Sequence, residues 1–159
     1  SDSYQRVIEV LNEGVDFVVD AEKDLLMKTL PYHPFLIKPN NLELEEIFDM
    51  KLESDSDIVA CGKKLQALGA RNVLISMAKD GAILIDENGT IYKQGVCKGT
   101  VVNSVGAGDS MVAGFIAGVL KERDYSKALK LATACGGATA FHSGLATYPQ
   151  IMEAMKTLE

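Results

Sequence analysis

The segment with the clearest chemical potential is a glycine-rich turn placed before a helical pattern. Gly106-Ala107-Gly108 follows a strand-like apolar run, and the helical pattern begins near Asp109. Small residues let the backbone approach a ligand closely, and the free N–H groups at a helix start bind anions. A carboxylate at the entrance of such an anion site is placed to take a proton from an attacking hydroxyl. The same spacing also fits a plain glycine turn in which Asp109 only favours the helix N-terminus.

Two familiar phosphate-binding motifs are excluded on this sequence. A Walker A loop requires Gly-Lys-Ser/Thr, but Gly62-Lys63 is followed by Lys64. A Rossmann fingerprint requires a glycine three residues after Gly108, where Met111 stands instead. A phosphate site at the glycine-rich turn would therefore belong to neither of these two classes.

A second candidate group begins where an apolar run ends at Lys38. This lysine stands at the end of a predicted strand, where ligands of α/β sheets bind; the alternative is an exposed strand-end charge. Asn40 and Glu43 are three residues apart, so they share one face if a helix begins at Asn40. Glu43 would then be placed to hold waters of a hydrated Mg²⁺. The simpler interpretation of the pair is a helix cap with a first-turn glutamate.

The surrounding pattern predicts the elements that carry these groups. Short apolar runs over 16–20, 35–38 and 72–77 predict buried strands. Two segments around Glu87-Asn88-Gly89 predict a β-hairpin with an Asn-Gly turn, and 97–102 predicts a further strand. Alternating strands and helices indicate one α/β domain over residues 1–159 with a mostly parallel sheet. Helices are predicted over 4–11, 25–30, 42–48, 58–68, 109–121, 126–141 and 149–158.

Composition and charge exclude several classes of protein. The chain has 159 residues, 47% of them hydrophobic, which fits one globular core. A formal net charge of -6 and the lack of a Lys/Arg run argue against nucleic-acid binding. The apolar runs are too short for a membrane span, and the first residues show no signal-peptide pattern. The three cysteines are far apart without a C-x-x-C pair, so we expect reduced thiols in a cytoplasmic protein.

Three segments, in order along the chain, resemble one enzyme family. NSVGAGDSMVAGF (103–115) resembles the C-terminal signature of the PfkB (ribokinase-like) carbohydrate kinases, whose core is G-A-G-D. KPNNLE (38–43) resembles the family's K-P-N-x-x-E segment, and SMAKDGA (76–82) resembles its S-L-G-x-x-G-A segment. The resemblance implies a ribokinase-like, three-layer α/β/α fold with a mostly parallel sheet and a β-hairpin. It spans the chain but covers only the C-terminal half of such a kinase.

The resemblance also implies catalytic roles at the glycine-rich turn. Asp109 would be the general base that deprotonates the acceptor hydroxyl of the sugar phosphate. The amides of Gly106, Ala107 and Gly108 would form an anion hole for charge on the transferring phosphoryl group.

Cofactor contacts are implied in the same way. Mg²⁺ would be held by Glu43 and Asn40, and seven residues would contact ATP: Lys38, Asn40, Ser76, Ala78, Gly81, Ala134 and Gly137. Ala78 departs from the family pattern, because many relatives have glycine there. An ordinary turn is the alternative for Ser76 and Gly81, and close helix packing is the alternative for Ala134 and Gly137.

The activity that the resemblance implies is ATP- and Mg²⁺-dependent phosphorylation of a sugar phosphate. The segments are most similar to the branch of the family that converts fructose 1-phosphate to fructose 1,6-bisphosphate, and tagatose 6-phosphate is the alternative substrate. A non-catalytic nucleotide-binding module is the alternative of another class. We expect ATP and a sugar phosphate as partners, without nucleic acid or membrane. Because a truncated sheet exposes apolar surface, we also consider a homodimer. We expect the chain alone to be inactive, because the resemblance places the lid and the sugar-orienting acid in the other half of such a kinase.

Overall fold

The computed structural model describes residues 3–11 and 14–158, which form helices around a five-stranded sheet. The strands are β1 (Val18–Val19), β2 (Leu36–Ile37), β3 (Asn72–Ser76), β4 (Ala82–Ile85) and β5 (Ile91–Gln94). The helices are α1 (Ser3–Glu9), α2 (Lys23–Thr29), α3 (Asn41–Phe48), α4 (Asp55–Ala67), α5 (Ala107–Glu122), α6 (Tyr125–Ala140) and α7 (Tyr148–Lys156). Short 3-10 helices cover Leu30–Tyr32 and Ala78–Asp80. No helix within the described ranges has the length and apolar character of a membrane span.

The sheet has the strand order β1-β2-β3-β4-β5 and is of mixed type. β1, β2 and β3 are parallel, with Val18 opposite Leu36 and Ile37 opposite Val73. The connections β3–β4 and β4–β5 are too short for a parallel crossover, so these two pairs run antiparallel. The predicted α/β fold with a mostly parallel sheet and a β-hairpin is therefore confirmed.

The described residues separate into two compact units. The first unit comprises residues within Ser1–Ile75 and Leu84–Ile91, and the second comprises residues within Ser76–Ile83 and Tyr92–Glu159. In the first unit the residues of the parallel strands are buried except Val18, which is half-buried, as the uninterrupted apolar runs predict for strands covered on both faces.

In the second unit, glycines bring α5 and α6 close together. A Cβ at Gly114 would lie 2.7 Å from Sγ of Cys135, and one at Gly118 would lie 2.6 Å from Cα of Ala128. Real side-chain atoms do not approach so closely, so only glycine allows this helix spacing. The small residues that fill the predicted helix over 126–141 therefore serve helix packing.

The strand predicted over 97–102 is wrong, because the structure has irregular backbone there. The backbone donors of this segment bind to neighbouring helix ends. The N–H of Val102 donates to the carbonyl of Ala140 (2.8 Å), and the N–H of Lys98 donates to Oγ1 of Thr157 (3.0 Å). The apolar composition of this segment predicted a strand. The last carbonyls of a helix lack partners within the helix, and here one of them accepts a hydrogen bond from the segment in place of strand pairing.

Candidate functional site

The glycine-rich turn of the second unit forms the N-terminus of α5. Gly106 is the N-cap residue with φ 79° and ψ -3°, and the helix begins at Ala107. This left-handed backbone favours glycine, and no side chain caps the helix. Asp109 lies in the first helical turn and is exposed. The turn thus presents an accessible carboxylate at the positive end of a helix dipole.

Most amides of this turn are free to bind an anion. The N–H of Ala107 donates to the carbonyl of Ser104 (3.1 Å), so this amide is already engaged. Within residues 3–11 and 14–158, the amides of Gly106, Gly108 and Asp109 have no hydrogen-bond acceptor. Free donors at a helix start are the arrangement that binds phosphate groups.

Apolar side chains lie close to Gly106, whose positive φ already favours glycine. A Cβ at this position would lie 3.2 Å from Cδ2 of Leu145. Leu145 is 73% exposed, and Val105 is 79% exposed. The free amides therefore sit next to apolar surface that is open to a ligand.

The second candidate group lies in the first unit and begins α3. Oδ1 of Asn40 accepts from the N–H of Glu43 (2.9 Å), and Oε2 of Glu43 accepts from the N–H of Asn40 (2.7 Å). This reciprocal pair is a capping box, so the simpler interpretation of the spacing holds in this structure.

A Mg²⁺ ion at Asn40 and Glu43 would need further ligands, such as waters and substrate phosphates. The described part of the chain has no group of three or more His, Cys, Asp or Glu side chains that could hold a metal ion. One oxygen of Glu43 is engaged in the capping box, which leaves one carboxylate oxygen. Mg²⁺ commonly binds through one or two carboxylates, waters and substrate phosphates, so a single glutamate is compatible with it.

Lys38 is buried rather than exposed. Its side chain is 8% exposed, and Nζ lies 3.4 Å from Oδ1 of Asp20, whose side chain is 33% exposed. The register of the sheet explains the pair: Val19 lies opposite Ile37, so the next residues along the two parallel strands are Asp20 and Lys38. Asp20 was not among the predicted site residues: only its position directly after an apolar run marked it, and its pairing with Lys38 follows from strand register.

The turn between β3 and β4 contains two residues with positive φ. Ala78 has φ 48° and Gly81 has φ 91°. The turn is closed by the N–H of Met77, which donates to the carbonyl of Gly81 (2.8 Å). A Cβ at Gly81 would lie 2.1 Å from the carbonyl oxygen of Gln94, so glycine is required there. Ala78 adopts a left-handed conformation that glycine tolerates better. Alanine in place of the family's glycine therefore strains the backbone of this turn.

Ala134 and Gly137 of α6 lie against the irregular segment that follows β5. Ala134 is fully buried in a cluster that includes Cys97, Ala138 and Leu158. A Cβ at Gly137 would lie 3.0 Å from both Cβ and Sγ of Cys97. Close packing accounts for both small residues, and their contact with a nucleotide stays a prediction.

The cysteines do not have the character of nucleophiles. Burial raises the pKa of the Cys97 and Cys135 thiols, which favours the neutral form over the reactive thiolate. All three cysteines are free and buried.

The candidate residues thus divide between the two units. Lys38, Asn40 and Glu43 belong to the first unit, where Lys38 and Glu43 have partners inside the protein. The second unit holds the other candidates: Ser76, Ala78, Gly81, Gly106, Ala107, Gly108, Asp109, Ala134 and Gly137.

Comparison with known proteins assigns the chain to a family. A sequence profile described as "pfkB family carbohydrate kinase" matches residues 1–151. The 1-phosphofructokinase of Bacillus subtilis is 43% identical over 147 residues, covering 92% of this chain and 48% of the relative. The D-tagatose-1-phosphate kinase of Bacillus licheniformis is 40% identical over 146 residues, covering 91% and 48%. The chain belongs to the pfkB family of carbohydrate kinases, as its three motifs predicted.

A solved structure shares the fold along the whole chain. It is a crystal structure of a Staphylococcus aureus protein provisionally described as a phosphofructokinase, with a TM-score of 0.94 and 42% identity. The match covers 100% of this chain and 52% of that one. It confirms the ribokinase-like, three-layer α/β/α fold. The chain spans about half the length of the curated relatives it matches.

Proposed function

We propose that this chain is the C-terminal, nucleotide-binding and catalytic-base portion of a kinase that converts fructose 1-phosphate to fructose 1,6-bisphosphate with ATP. The observation that carries the proposal is the start of α5, where the free amides of Gly106 and Gly108 precede the exposed Asp109. Family membership and 43% identity to a protein named 1-phosphofructokinase support the choice of reaction.

The residues at the start of α5 have distinct roles in the proposed reaction. The acceptor hydroxyl oxygen of the sugar bonds to the γ-phosphorus of ATP, and the bond from that phosphorus to the β–γ bridging oxygen breaks, which releases ADP. Asp109 accepts the hydroxyl proton. The amides of Gly106 and Gly108 donate to oxygens of the transferring group, where loss of one donor typically costs about 3 kcal/mol of barrier.

The first unit contributes charge in this proposal. Glu43, supported by Asn40, would hold waters of a Mg²⁺ ion, and Lys38 would offset phosphate charge. When bound, the Mg²⁺ neutralises charge on the phosphates. The capping box fixes the Glu43 carboxylate and the Asp20 carboxylate fixes the Lys38 ammonium, so both groups are preorganised.

Partners and location complete the proposal. We expect ATP and a sugar phosphate as partners, without nucleic acid or membrane, in a cytoplasmic protein. The three cysteines that are free and buried fit a reducing compartment. A homodimer stays a prediction.

Tagatose phosphates are the second candidate substrates. Sequence resemblance suggests tagatose 6-phosphate, whereas a relative at 40% identity is named D-tagatose-1-phosphate kinase. That name places the phosphate on C1, as in fructose 1-phosphate. Both tagatose phosphates therefore belong in the substrate test.

The test measures ADP release by the whole kinase that carries this chain, with each of the three sugar phosphates and MgATP. We expect the highest kcat/KM with fructose 1-phosphate. A preference for a tagatose phosphate would overturn the substrate, and no ADP release with any of them would overturn the reaction. The 159-residue chain alone is the control. We expect negligible turnover from it, because substrate positioning supplies roughly 7–11 kcal/mol of barrier reduction in such reactions and half of the kinase is missing.

A further inference from the structure

We infer that Thr139 is a positioning residue for phosphoryl transfer, because its hydroxyl fixes the first turn of α5 and with it Asp109. The inference rests on the proposed function and adds to it a residue outside the family's three motifs. Thr139 lies near the end of α6 and is 1% exposed. It touches neither Asp109 nor any other proposed catalytic group through its hydroxyl, so it would act through a neighbour.

The hydroxyl of Thr139 joins three parts of the second unit. Oγ1 accepts from the N–H of Ala146 (3.2 Å), in the segment that precedes α7. It donates to Oγ of Ser110 (2.9 Å), which directly follows Asp109 in the first turn of α5. This buried hydroxyl uses its donor and one of its two lone pairs, and its removal takes one hydrogen bond from each partner.

The start of α5, like that of α2, has no side-chain cap, so its first turn depends on contacts such as this one. α3, α4 and α6 begin with side-chain caps from Asn40, Ser54 and Asp124. α5 begins at Gly106 without a side-chain cap. Its open amides suit anion binding, but they leave the turn without the cap hydrogen bonds that hold the starts of α3, α4 and α6 in place.

Packing supports the same turn from the same helix. A Cβ at Gly136 would lie 3.1 Å from the carbonyl oxygen of Ala107, so α6 packs directly on the first residue of α5. Gly136 supplies the close approach, and Thr139, about one turn further on, supplies the hydrogen bond. Together they hold the turn from outside and leave its amides free.

The same helix provides a matched control. Thr133 is 5% exposed, and its Oγ1 donates to the carbonyl of Leu129 (2.9 Å), four residues earlier in α6. Thr133→Val and Thr139→Val remove the same buried hydroxyl from the same helix. Only Thr139→Val removes a hydrogen bond to α5, the one to Ser110.

The kinetic test uses the whole kinase with saturating sugar phosphate. We expect Thr139→Val to lower kcat about tenfold, with the KM for MgATP changed by less than about twofold, because misplacement of a catalytic group acts on the chemical step. Thr139→Ser restores the hydroxyl and should restore most of kcat. Thr133→Val should leave kcat unchanged even if it lowers stability. An unchanged kcat in Thr139→Val, or an equal loss in Thr133→Val, overturns the inference.

A second variant and a second measurement keep the inference testable if Thr139→Val does not fold or the kinase has no activity. Ser110→Ala removes the same bond from the side of α5, and it should lower kcat to the same extent. In the chain itself, the Ser110 N–H donates to the Gly106 carbonyl (2.9 Å). Hydrogen exchange of this amide should be at least about tenfold faster in Thr139→Val than in Thr133→Val. Equal exchange rates in the two variants overturn the inference. If the kinase is inactive but the exchange rates differ as expected, only the proposed reaction is overturned.

Discussion

The two candidate groups differ in how far their polar atoms are already used within the protein. In the first unit, Asn40 and Glu43 bind each other, and Lys38 is paired with Asp20. At the start of α5, two of the three anion-hole amides have no acceptor within the described ranges, and the Asp109 carboxylate is exposed.

This difference separates what stabilises the fold from what is open to a ligand. A capping box holds a helix start in place whether or not a substrate is present, and loss of Asp20 would leave the buried Lys38 ammonium without its charged partner. Open amides at an uncapped helix start give no such stabilisation, so stability does not explain them. We therefore expect substitutions of Asp20 and Asn40 to lower stability, beyond any effect on activity through the proposed Mg²⁺ and phosphate contacts. Substitutions at the start of α5 should act mainly on activity.

The largest effect is expected from Asp109→Asn. In the whole kinase this change should lower kcat about a thousandfold, because it removes the proposed general base. The free energy of unfolding should change by less than about 1 kcal/mol, since this side chain is exposed and, among the residues that the structure describes, its main favourable interaction is with the helix dipole. Asp55→Asn in the first turn of α4 is the control, with unchanged kcat expected. A kcat within tenfold of wild type for Asp109→Asn would remove Asp109 from the mechanism.

A smaller effect is expected from Asp20→Asn. This change leaves the Lys38 ammonium, 8% exposed, without a charged partner and should lower the free energy of unfolding by about 2 kcal/mol. Asp16→Asn is the matched control on the other side of β1. Asp16 is 62% exposed and pairs with Arg71, so its loss should cost less than about 1 kcal/mol. Urea denaturation of the chain measures both values, and equal losses would show that burial of Lys38 has no special cost.

The capping box should contribute about 1 kcal/mol. Asn40→Ala removes the side-chain acceptor of the Glu43 N–H and should lower the free energy of unfolding by that amount in the same urea experiment. Asn40→Asp retains an acceptor and should be close to wild type. A loss of stability in both variants would mean that the amide group of Asn40 has a partner beyond the capping box.

The smallest effect is expected at Ala78, and it is stabilising. Ala78 has φ 48° and is exposed, so Ala78→Gly relieves backbone strain of about 1 kcal/mol in the folded state. Glycine also raises the conformational entropy of the unfolded chain, which offsets a smaller part of this gain. We expect a net gain of about 0.5 kcal/mol by thermal denaturation. Ala113→Gly, at an exposed position inside α5, should instead lower stability by about 1 kcal/mol. A loss of stability in Ala78→Gly would show that this turn is not strained.

Much of the fold could be predicted because its signals are local. Apolar runs located β1, β2 and β3, and the Asn-Gly turn located the β4–β5 hairpin. The segment 97–102 could not be predicted, since its apolar residues are compatible with a strand. Its conformation depends on the carbonyl of Ala140 and the hydroxyl of Thr157, which lie far along the chain.

The candidate site was predictable to a similar extent. The motif at Gly106–Asp109 carried its own signal, because small residues before a helix imply an accessible backbone. The burial of Lys38 and its pairing with Asp20 depend on strand register, which the sequence alone does not specify. The bond from Thr139 to Ser110 joins two helices, and neither residue has a pattern that indicates it.

The most direct test of an anion site at the start of α5 is an NMR titration of the 159-residue chain with millimolar MgATP. We predict that the amide signals of Gly106, Gly108 and Asp109 shift most, since these donors are free. The Asp57 amide at the capped start of α4 donates to Oγ of Ser54 and should not shift. Equal shifts at both helix starts, or no shift at the start of α5, would contradict a phosphate site built from its open amides.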